Sequence, residues 1–600
     1  MSTPPKSKSK GSQSRTNTSS RASHSDSSPQ SVDLTYDLTC IDLTSDEPID
    51  KTINTSLSAK LGQIYAFQHG SLGDRTKEVQ RNDWLTLQRR ECPTQGLAEA
   101  VVDDIVYRPS MTVELRNGNY LRIEVIRSRC GVFFLYGRYL MKSTEIPDRY
   151  VPNCKGELIW LPQRTEPISL DQIKGFCKVV FTNFRKHDWK DHDHLVCRLK
   201  VIWRSRDMIR TDLREALVTP ENTIEYLLPE ETDKGFGLTS RELRDNWRGV
   251  DRTKPFGDAE VSWSQMMRQQ RVVIDLENPE RETIDLTDMR LRTYTFGDAY
   301  CGAGGASCGA RQAGLKLIWS FDAESQATDS YKRNFPGTTV WNAPVDHFLA
   351  IEDAGIPVDV CHASPPCQPF SPAHTVHNEP RDEINSACVF TATDLLKTVR
   401  PRILTMEETF GLLERHKEVF HRVILDFIEL GYSVRWAVLE CVNYGVPQWR
   451  KRLIILVAGP GESLPNLPPP THALPGAGLL PLNTISNAID GIPLDAEDHD
   501  VEKGLQSYQM LGHREPYNKL QPARTVTCSG GEYNYHPSGR RGFTAREFAC
   551  LQTFPVDFQF SDQKVRKQIG NAVPPKFAEA VFREVCRSLR ETDEKELEKN

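Results

Sequence analysis

After about residue 291, short apolar runs alternate with helical segments: Thr293 to Tyr300, Leu317 to Phe321, Val358 to Ala363, Ile403 to Met406, Trp436 to Leu439 and Leu453 to Val457. Each run is too short for a core helix and reads as a buried strand. Strands separated by helices pair through crossovers, so the pattern predicts an α/β fold with a doubly wound, mainly parallel sheet. In such a sheet, ligands bind beyond the carboxyl ends of the strands.

One of those ends carries an unusual loop. The strand Val358-Asp359-Val360-Cys361-His362-Ala363 leads into Ser364-Pro365-Pro366-Cys367-Gln368-Pro369-Phe370. The two prolines lock φ and remove backbone donors, so Cys367 is presented on a stiff turn. Read alone, Cys367 is one of fifteen cysteines and is more often an ordinary free thiol than a nucleophile. Its neighbours decide the matter.

The first strand of this region runs into Asp298-Ala299-Tyr300-Cys301-Gly302-Ala303-Gly304-Gly305, with a helix beginning near Ser307. Glycines at a strand-to-helix turn let a ligand approach the backbone. Their order is not the dinucleotide pattern GxGxxG. The next strand ends at Asp322, followed by Ala323 and Glu324, and a carboxylate there can accept both hydroxyls of a ribose. The two features together describe an adenosine-type cofactor held without a phosphate cradle.

The rest of the chain has a different texture. Residues 1 to about 60 form a Ser/Thr-rich tail with too few large apolar groups to fold alone. It contains Val32-Asp33-Leu34-Thr35, Asp37-Leu38-Thr39 and Ile41-Asp42-Leu43-Thr44, a pattern that returns at Ile274-Asp275-Leu276-Glu277 and Ile284-Asp285-Leu286-Thr287-Asp288. These repeats resemble SUMO-interacting motifs, which add a strand to a partner's sheet edge; a solvated acidic linker is the alternative. From 95 to 240, alternating runs such as Tyr120-Leu121-Arg122-Ile123-Glu124-Val125 predict a mostly β domain. Its stretch from Glu157 to Val179 resembles the core of a bromo-adjacent homology (BAH) domain, and a plain β scaffold fits it equally. Residues 241–291 read as a polar linker.

The net charge of −6 makes the chain no polycation, so contact with nucleic acid has to come from local basic patches. There is no apolar run long enough to span a bilayer, no signal-peptide core and no CxxC pair. An intracellular protein is expected, with no membrane partner and no metal site.

Further motifs follow Cys367 in order: Met406-Glu407-Glu408-Thr409, Asn443-Tyr444-Gly445-Val446-Pro447-Gln448-Trp449-Arg450-Lys451-Arg452, and Gln568-Ile569-Gly570-Asn571-Ala572-Val573-Pro574-Pro575. With these, residues 292–590 resemble the DNA (cytosine-5) methyltransferase family. The Glu407-Glu408-Thr409 variant and the preceding β domain resemble its fungal RID and Masc group of de novo methyltransferases.

The resemblance implies a class I methyltransferase fold that uses S-adenosyl-L-methionine and double-stranded DNA. Cys367 would add to carbon 6 of a flipped-out cytosine, because the thiolate is the strong nucleophile among side chains. Glu407 would protonate or hydrogen-bond nitrogen 3. Arg452 would reach oxygen 2, and Arg450 would lie near the nucleophile and a phosphate, the planar fork suiting both tasks. The cofactor positions implied are Asp298, Tyr300, Gly302, Gly304, Gly305, Asp322, Ala323, Pro366, Asn571 and Ala572. Gln368 to Ser371 resemble the mobile loop that accompanies base flipping.

The target-recognition segment would span about 458–535, and its Pro460 to Pro481 stretch has few base-reading side chains, so modest sequence selectivity is expected. The resemblance also implies a nuclear protein active in silencing of repeats, with SUMO or sumoylated chromatin proteins and, through the BAH-like domain, histones as partners.

The family usually has Glu-Asn-Val where this chain has Glu407-Glu408-Thr409. A charge at Glu408 facing the site would disfavour the Cys367 thiolate. An intrinsic activity that is low or dependent on a partner is then expected, and Glu408→Asn should raise the single-turnover rate. Two other functions compete. One is a chromatin scaffold with a weakly catalytic methyltransferase fold; the other is an RNA cytosine methyltransferase, against which the long amino-terminal half argues.

Overall fold

The computed structural model describes residues 95–129, 131–146, 151–152, 156–184, 195–203, 222–248, 293–351, 357–370, 385–511, 515–528 and 535–599. The tail and all the SUMO-like repeats lie outside the described residues. So do residues 249–291 of the expected linker.

Seven strands, among the described residues, build the carboxyl-terminal sheet in the order Thr339–Asn342, Lys316–Asp322, Thr295–Ala299, Val360–Ala363, Ile403–Glu408, Lys451–Ala458, Ser433–Glu440. The first five run parallel, and Lys451–Ala458 is antiparallel to both of its neighbours. The sheet is therefore mixed, with a single reversed strand in a parallel frame. Every residue of the central strand Ile403–Glu408 is buried, as the apolar Ile403, Leu404 and Met406 on its two faces demand. One face is covered by the packing of Gly305–Gln312 against the long helix Pro575–Lys599, with Phe296 edge-on to Phe582 at 5.0 Å. The edge strand Thr339–Asn342 escaped the sequence reading because its residues are exposed or half-buried and lack an apolar signature.

The reversed strand matters for the chemistry. Its amino end lies at the same rim as the carboxyl ends of the parallel strands, with Leu453 opposite Glu408 and Arg452 opposite Leu439. Arg450 and Arg452 thereby reach the loops that follow Ala363 and Glu408.

The amino-terminal domain is β, built around the long hairpin Tyr120–Arg129 and Val132–Lys142. Leu121, Ile123, Ile126 and Leu135 form its interior. Its last strand, Asn222–Tyr226, pairs with Leu195–Trp203 on one side and with Ser433–Glu440 on the other, so the two sheets are continuous. The Tyr226 N–H donates to Ser433 Oγ at 3.0 Å, and the Tyr226 hydroxyl donates to the Ile428 carbonyl at 2.8 Å.

The expected linker is corrected at its start, where Ser240–Arg248 is a helix. Leu243 and Trp247 lie four residues apart, on one face, and both are buried. Trp247 meets Tyr432 edge-on at 5.1 Å. Arg244 on the same helix forms ion pairs with Glu462 and Glu596. No helix among the described residues is long and apolar enough to cross a membrane.

Candidate active site

The Cys367 loop is fixed at both ends. The Ser364 N–H donates to the Ala299 carbonyl at 3.2 Å, and Ser364 Oγ lies 2.6 Å from His362 Nε2. His362 is buried and its other ring nitrogen lies 2.8 Å from Thr405 Oγ1; burial pulls its pKa down to about 3, so the ring is neutral. Further on, the Phe370 N–H donates to the Cys367 carbonyl at 3.1 Å, and the Phe370 ring packs edge-on to His416. Of the expected mobile loop, Gln368 to Phe370 form a short turn and Ser371 lies outside the described residues.

Cys367 itself is half-buried. Burial pushes its thiol pKa up, Glu408 and then Glu407 push it further, and Arg452 and Arg450 oppose them. The charges that act on the thiol are thus two acids from the strand Ile403–Glu408 and two arginines, Arg452 on Lys451–Ala458 and Arg450 just before it. Arg452 Nε lies 2.5 Å from Glu407 Oε1. That pair joins the carboxyl end of one strand to the amino end of its antiparallel neighbour. Glu408 is wholly buried, and burial followed by the charge of Glu407 holds its pKa well above the carboxylate range.

Arg450 lies near the nucleophile, as expected, with its fork turned inward. It is buried, with Nη1 donating to the Val526 carbonyl at 3.0 Å and Nη2 to the Gly570 and Ala572 carbonyls at 3.2 Å each. Its fork clamps two loops together and does not face outward to a phosphate. Burial and the nearby Arg452 lower its pKa to about 10.

The glycine-rich turn is shaped by necessity. Gly302 and Gly304 have φ of +54° and +98°, and a Cβ on Gly304 would come within 2.4 Å of the Phe335 ring. A Cβ on Gly305 would come within 2.2 Å of the Val573 carbonyl oxygen, so the turn lies against the Gly570 to Val573 segment. Tyr300, also at positive φ, hydrogen-bonds Thr391 through its hydroxyl and packs on Phe321 at 5.3 Å.

Asp322 ties strand to turn: its Oδ2 accepts from the Gly302 N–H at 2.9 Å and its Oδ1 from the Glu324 N–H at 2.8 Å. Each oxygen keeps a further lone pair, and the residue is only half-buried. Glu324 is drawn off by Lys564 and Lys567, at 2.5 and 3.0 Å. A bare glycine backbone beside a carboxylate with acceptor capacity fits an adenosine-type cofactor.

Asp298 differs from its expected part. It is wholly buried, its Oδ2 accepts from Ser307 Oγ at 2.6 Å, and Oδ1 has no partner. It supports the turn from beneath, and burial raises its pKa to about 7. Ala323 is exposed beside Asp322, and Pro366 is half-buried beside Cys367. Asn571 is exposed, with its Oδ1 2.5 Å from the Cys528 thiol, while Ala572 is buried.

The sequence reading missed the polar network below these loops. Gln448 Nε2 donates to the Leu551 carbonyl at 2.9 Å and to Gln552 Oε1 at 2.6 Å, while its Oε1 accepts from the Val526 N–H at 3.0 Å. Gln552 Nε2 in turn donates to the Ile569 and Ala572 carbonyls, at 2.9 Å each. Gln448 stands inside the Asn443 to Arg452 motif, but the sequence does not show that its side chain joins Gln552 to the Val526 amide.

A parallel-framed sheet with one reversed strand, a glycine turn, an acidic strand end and a cysteine loop at one rim define a class of protein, the methyltransferases of this mixed-sheet fold. The chain matches the C-5 cytosine-specific DNA methylase family over residues 294–475 and 483–587. It is 30% identical over 313 residues to the Type II methyltransferase M.NgoFVII of Neisseria gonorrhoeae, covering 46% of this chain and 82% of that one. To M.AplI of Arthrospira platensis it is also 30% identical, covering 49% of this chain and 85% of the relative. DNA (cytosine-5)-methyltransferase 1 of Mus musculus is 30% identical over 198 residues, covering 30% of this chain and 12% of that protein. The chain belongs to the C-5 cytosine-specific DNA methylase family, enzymes that draw their methyl group from S-adenosylmethionine.

Proposed function

We propose that this protein methylates carbon 5 of cytosine in double-stranded DNA with Cys367 as nucleophile. The observation that carries the reading is the convergence of the Cys367 thiol with the Glu407–Arg452 pair at one sheet rim. The thiolate adds to carbon 6 of a cytosine turned out of the duplex, forming a C–S bond and moving the C5–C6 electron pair into the ring. Glu407 meets nitrogen 3 and offsets the charge that arrives there. Its Oε1 is engaged by Arg452, whose guanidinium also lies within the field of the thiol.

S-adenosylmethionine, when bound, supplies an electrophilic methyl group. Asp322 would hold its ribose hydroxyls, with Gly302, Gly304 and Tyr300 forming the wall. After transfer, loss of the proton on carbon 5 returns the electron pair and expels the thiolate.

Support for a regulated chromatin enzyme of the fungal de novo type comes from the Glu407-Glu408-Thr409 variant and the preceding β domain, read here as BAH-like and able to dock histones. The Leu-Thr repeats are read as SUMO contacts and the site of action as the nucleus. A second reading, a weakly catalytic scaffold, is favoured by the buried Glu408 beside the nucleophile.

The test is trapping on duplex DNA containing 5-fluorocytosine with S-adenosylmethionine. A covalent adduct formed by the native chain and not by Cys367→Ala is the expected result. No adduct from the native chain leaves the scaffold.

A further inference from the structure

Glu408 follows Glu407 on the strand Ile403–Glu408, so the two side chains leave on opposite faces. Both faces are inside the protein, and Glu408 is 0% exposed. Its Oε2 accepts a single hydrogen bond, from the Thr409 N–H at 3.1 Å, and its buried Oε1 has no partner. An ionised carboxylate in such a place ordinarily gathers several donors or a cation of its own.

The charged and titratable groups around it come from three elements. Glu407 stands on its own strand, and Arg452 reaches it from Lys451–Ala458. Cys367 approaches from the loop after Val360–Ala363, where Arg450 and Arg452 also act, and Cys441 shares the influence of those arginines. Arg452 is already paired with Glu407 at 2.5 Å. Glu408 is left with one hydrogen bond, from an amide, and the field of an arginine already paired elsewhere.

We propose that Glu408 works as a neutral carboxylic acid, a positioning residue whose proton keeps negative charge away from the Cys367 sulfur, and that its ionisation at alkaline pH disables the nucleophile. The inference rests on the reading of Cys367 as the nucleophile. Burial and the neighbouring Glu407 both favour the protonated form of Glu408. Both acids push the Cys367 thiol pKa up, after the larger effect of its burial.

The direction follows from charge alone. Below its raised pKa, Glu408 is neutral and leaves the thiol to Glu407 and the two arginines. As pH rises through that pKa, Glu408 becomes an anion beside the sulfur, and the thiol becomes harder to ionise in the range where thiolate should accumulate. The gain expected from Glu408→Asn is then confined to the alkaline side.

The test reads the sulfur directly. The 600-residue chain is alkylated with iodoacetamide from about pH 6 to about pH 10, and the Cys367 peptide is quantified by mass spectrometry. Glu408→Gln is expected to bring the onset of alkylation at least about one pH unit lower than in the native chain, roughly tenfold faster where the native profile is held back. Superimposable profiles, or an onset moved upward, overturn the proposal. If Glu408→Gln does not fold, Glu408→Asn is read in the same way. DNA takes no part in this assay, so a failure to trap 5-fluorocytosine DNA would remove the functional reading and leave the alkylation result intact.

Discussion

Replacing Arg450 by Met removes a guanidinium that is 2% exposed and serves three backbone carbonyls. Of the three, the Ala572 carbonyl keeps the Gln552 Nε2 donor, so two acceptors are left buried and unmet at about 1–3 kcal/mol each, a gross loss of about 2–6 kcal/mol. Against this stands relief from burying the charge. Its pKa falls from 12.5 to about 10, and a shift of that size corresponds to about 3 kcal/mol. The net expectation is a loss of about 1 kcal/mol. At about 2–4 °C per kcal/mol for a large domain, the melting temperature should fall by roughly 2–4 °C. Arg450→Lys should fall part of the way, since one ammonium cannot hold three carbonyls in the geometry of a fork. The companion assay is DNA affinity against salt. A phosphate ligand would lower the slope of log K on log salt by about 0.9 when removed, with melting unchanged. That outcome would refute the clamp and restore the role expected from sequence.

Glu407→Gln should lower the single-turnover methylation rate by about 10²–10⁴-fold, with S-adenosylmethionine affinity retained, as read by rapid-quench kinetics and calorimetry. Asp322→Asn replaces a carboxylate that accepts two N–H groups by an amide with one accepting oxygen. It should weaken S-adenosylmethionine binding by about 1.5 kcal/mol or more, at least roughly tenfold, by calorimetry. Asp298 has a folded pKa of about 7 against about 3.9 unfolded, so the folded state keeps a proton that the unfolded state has released. Its contribution is fully present below about pH 4 and is lost as pH rises to about 7. Asp298→Asn should therefore lack that decline, as urea unfolding at about pH 5 and about pH 8 will show; equal slopes would exclude it.

The parallel frame and the rim were legible because they follow from short patterns. Five of the apolar runs mark strands buried on both faces, and the Pro365-Pro366-Cys367 and Gly302 to Gly305 turns need residues of fixed backbone preference. What could not be read is what depends on partners distant in sequence. Arg450 and Arg452 are two residues apart in one strand-entry segment. Yet one is committed to carbonyls at 526, 570 and 572 and the other to Glu407. Spacing shows a shared face for such a pair and is blind to which atoms already occupy it. Asp298 was misplaced for the same reason, because Ser307 and the turn above it close over the carboxylate. The helix Ser240–Arg248 hid in a polar stretch, since two apolar residues out of nine suffice when both fall on one face.

The join between the domains bears on how the β domain can act. An edge strand such as Ser433–Glu440 offers a row of unpaired amides and carbonyls, a template for aggregation unless it is covered. Here Asn222–Tyr226 covers it, with Thr223 opposite Arg435 and Ile224 opposite Val434. On the far side of Ser433–Glu440, its neighbour Lys451–Ala458 carries Arg452 at its amino end, opposite Leu439. One strand thus separates the β domain from the strand that positions Arg452 against Glu407. The ion pairs of Arg244 with Glu462 and Glu596 hold the same junction from below, at the far end of the sheet from Cys367. A domain bonded in this way is part of the catalytic sheet. Any ligand it takes would act on the site through strand register and hydrogen bonding.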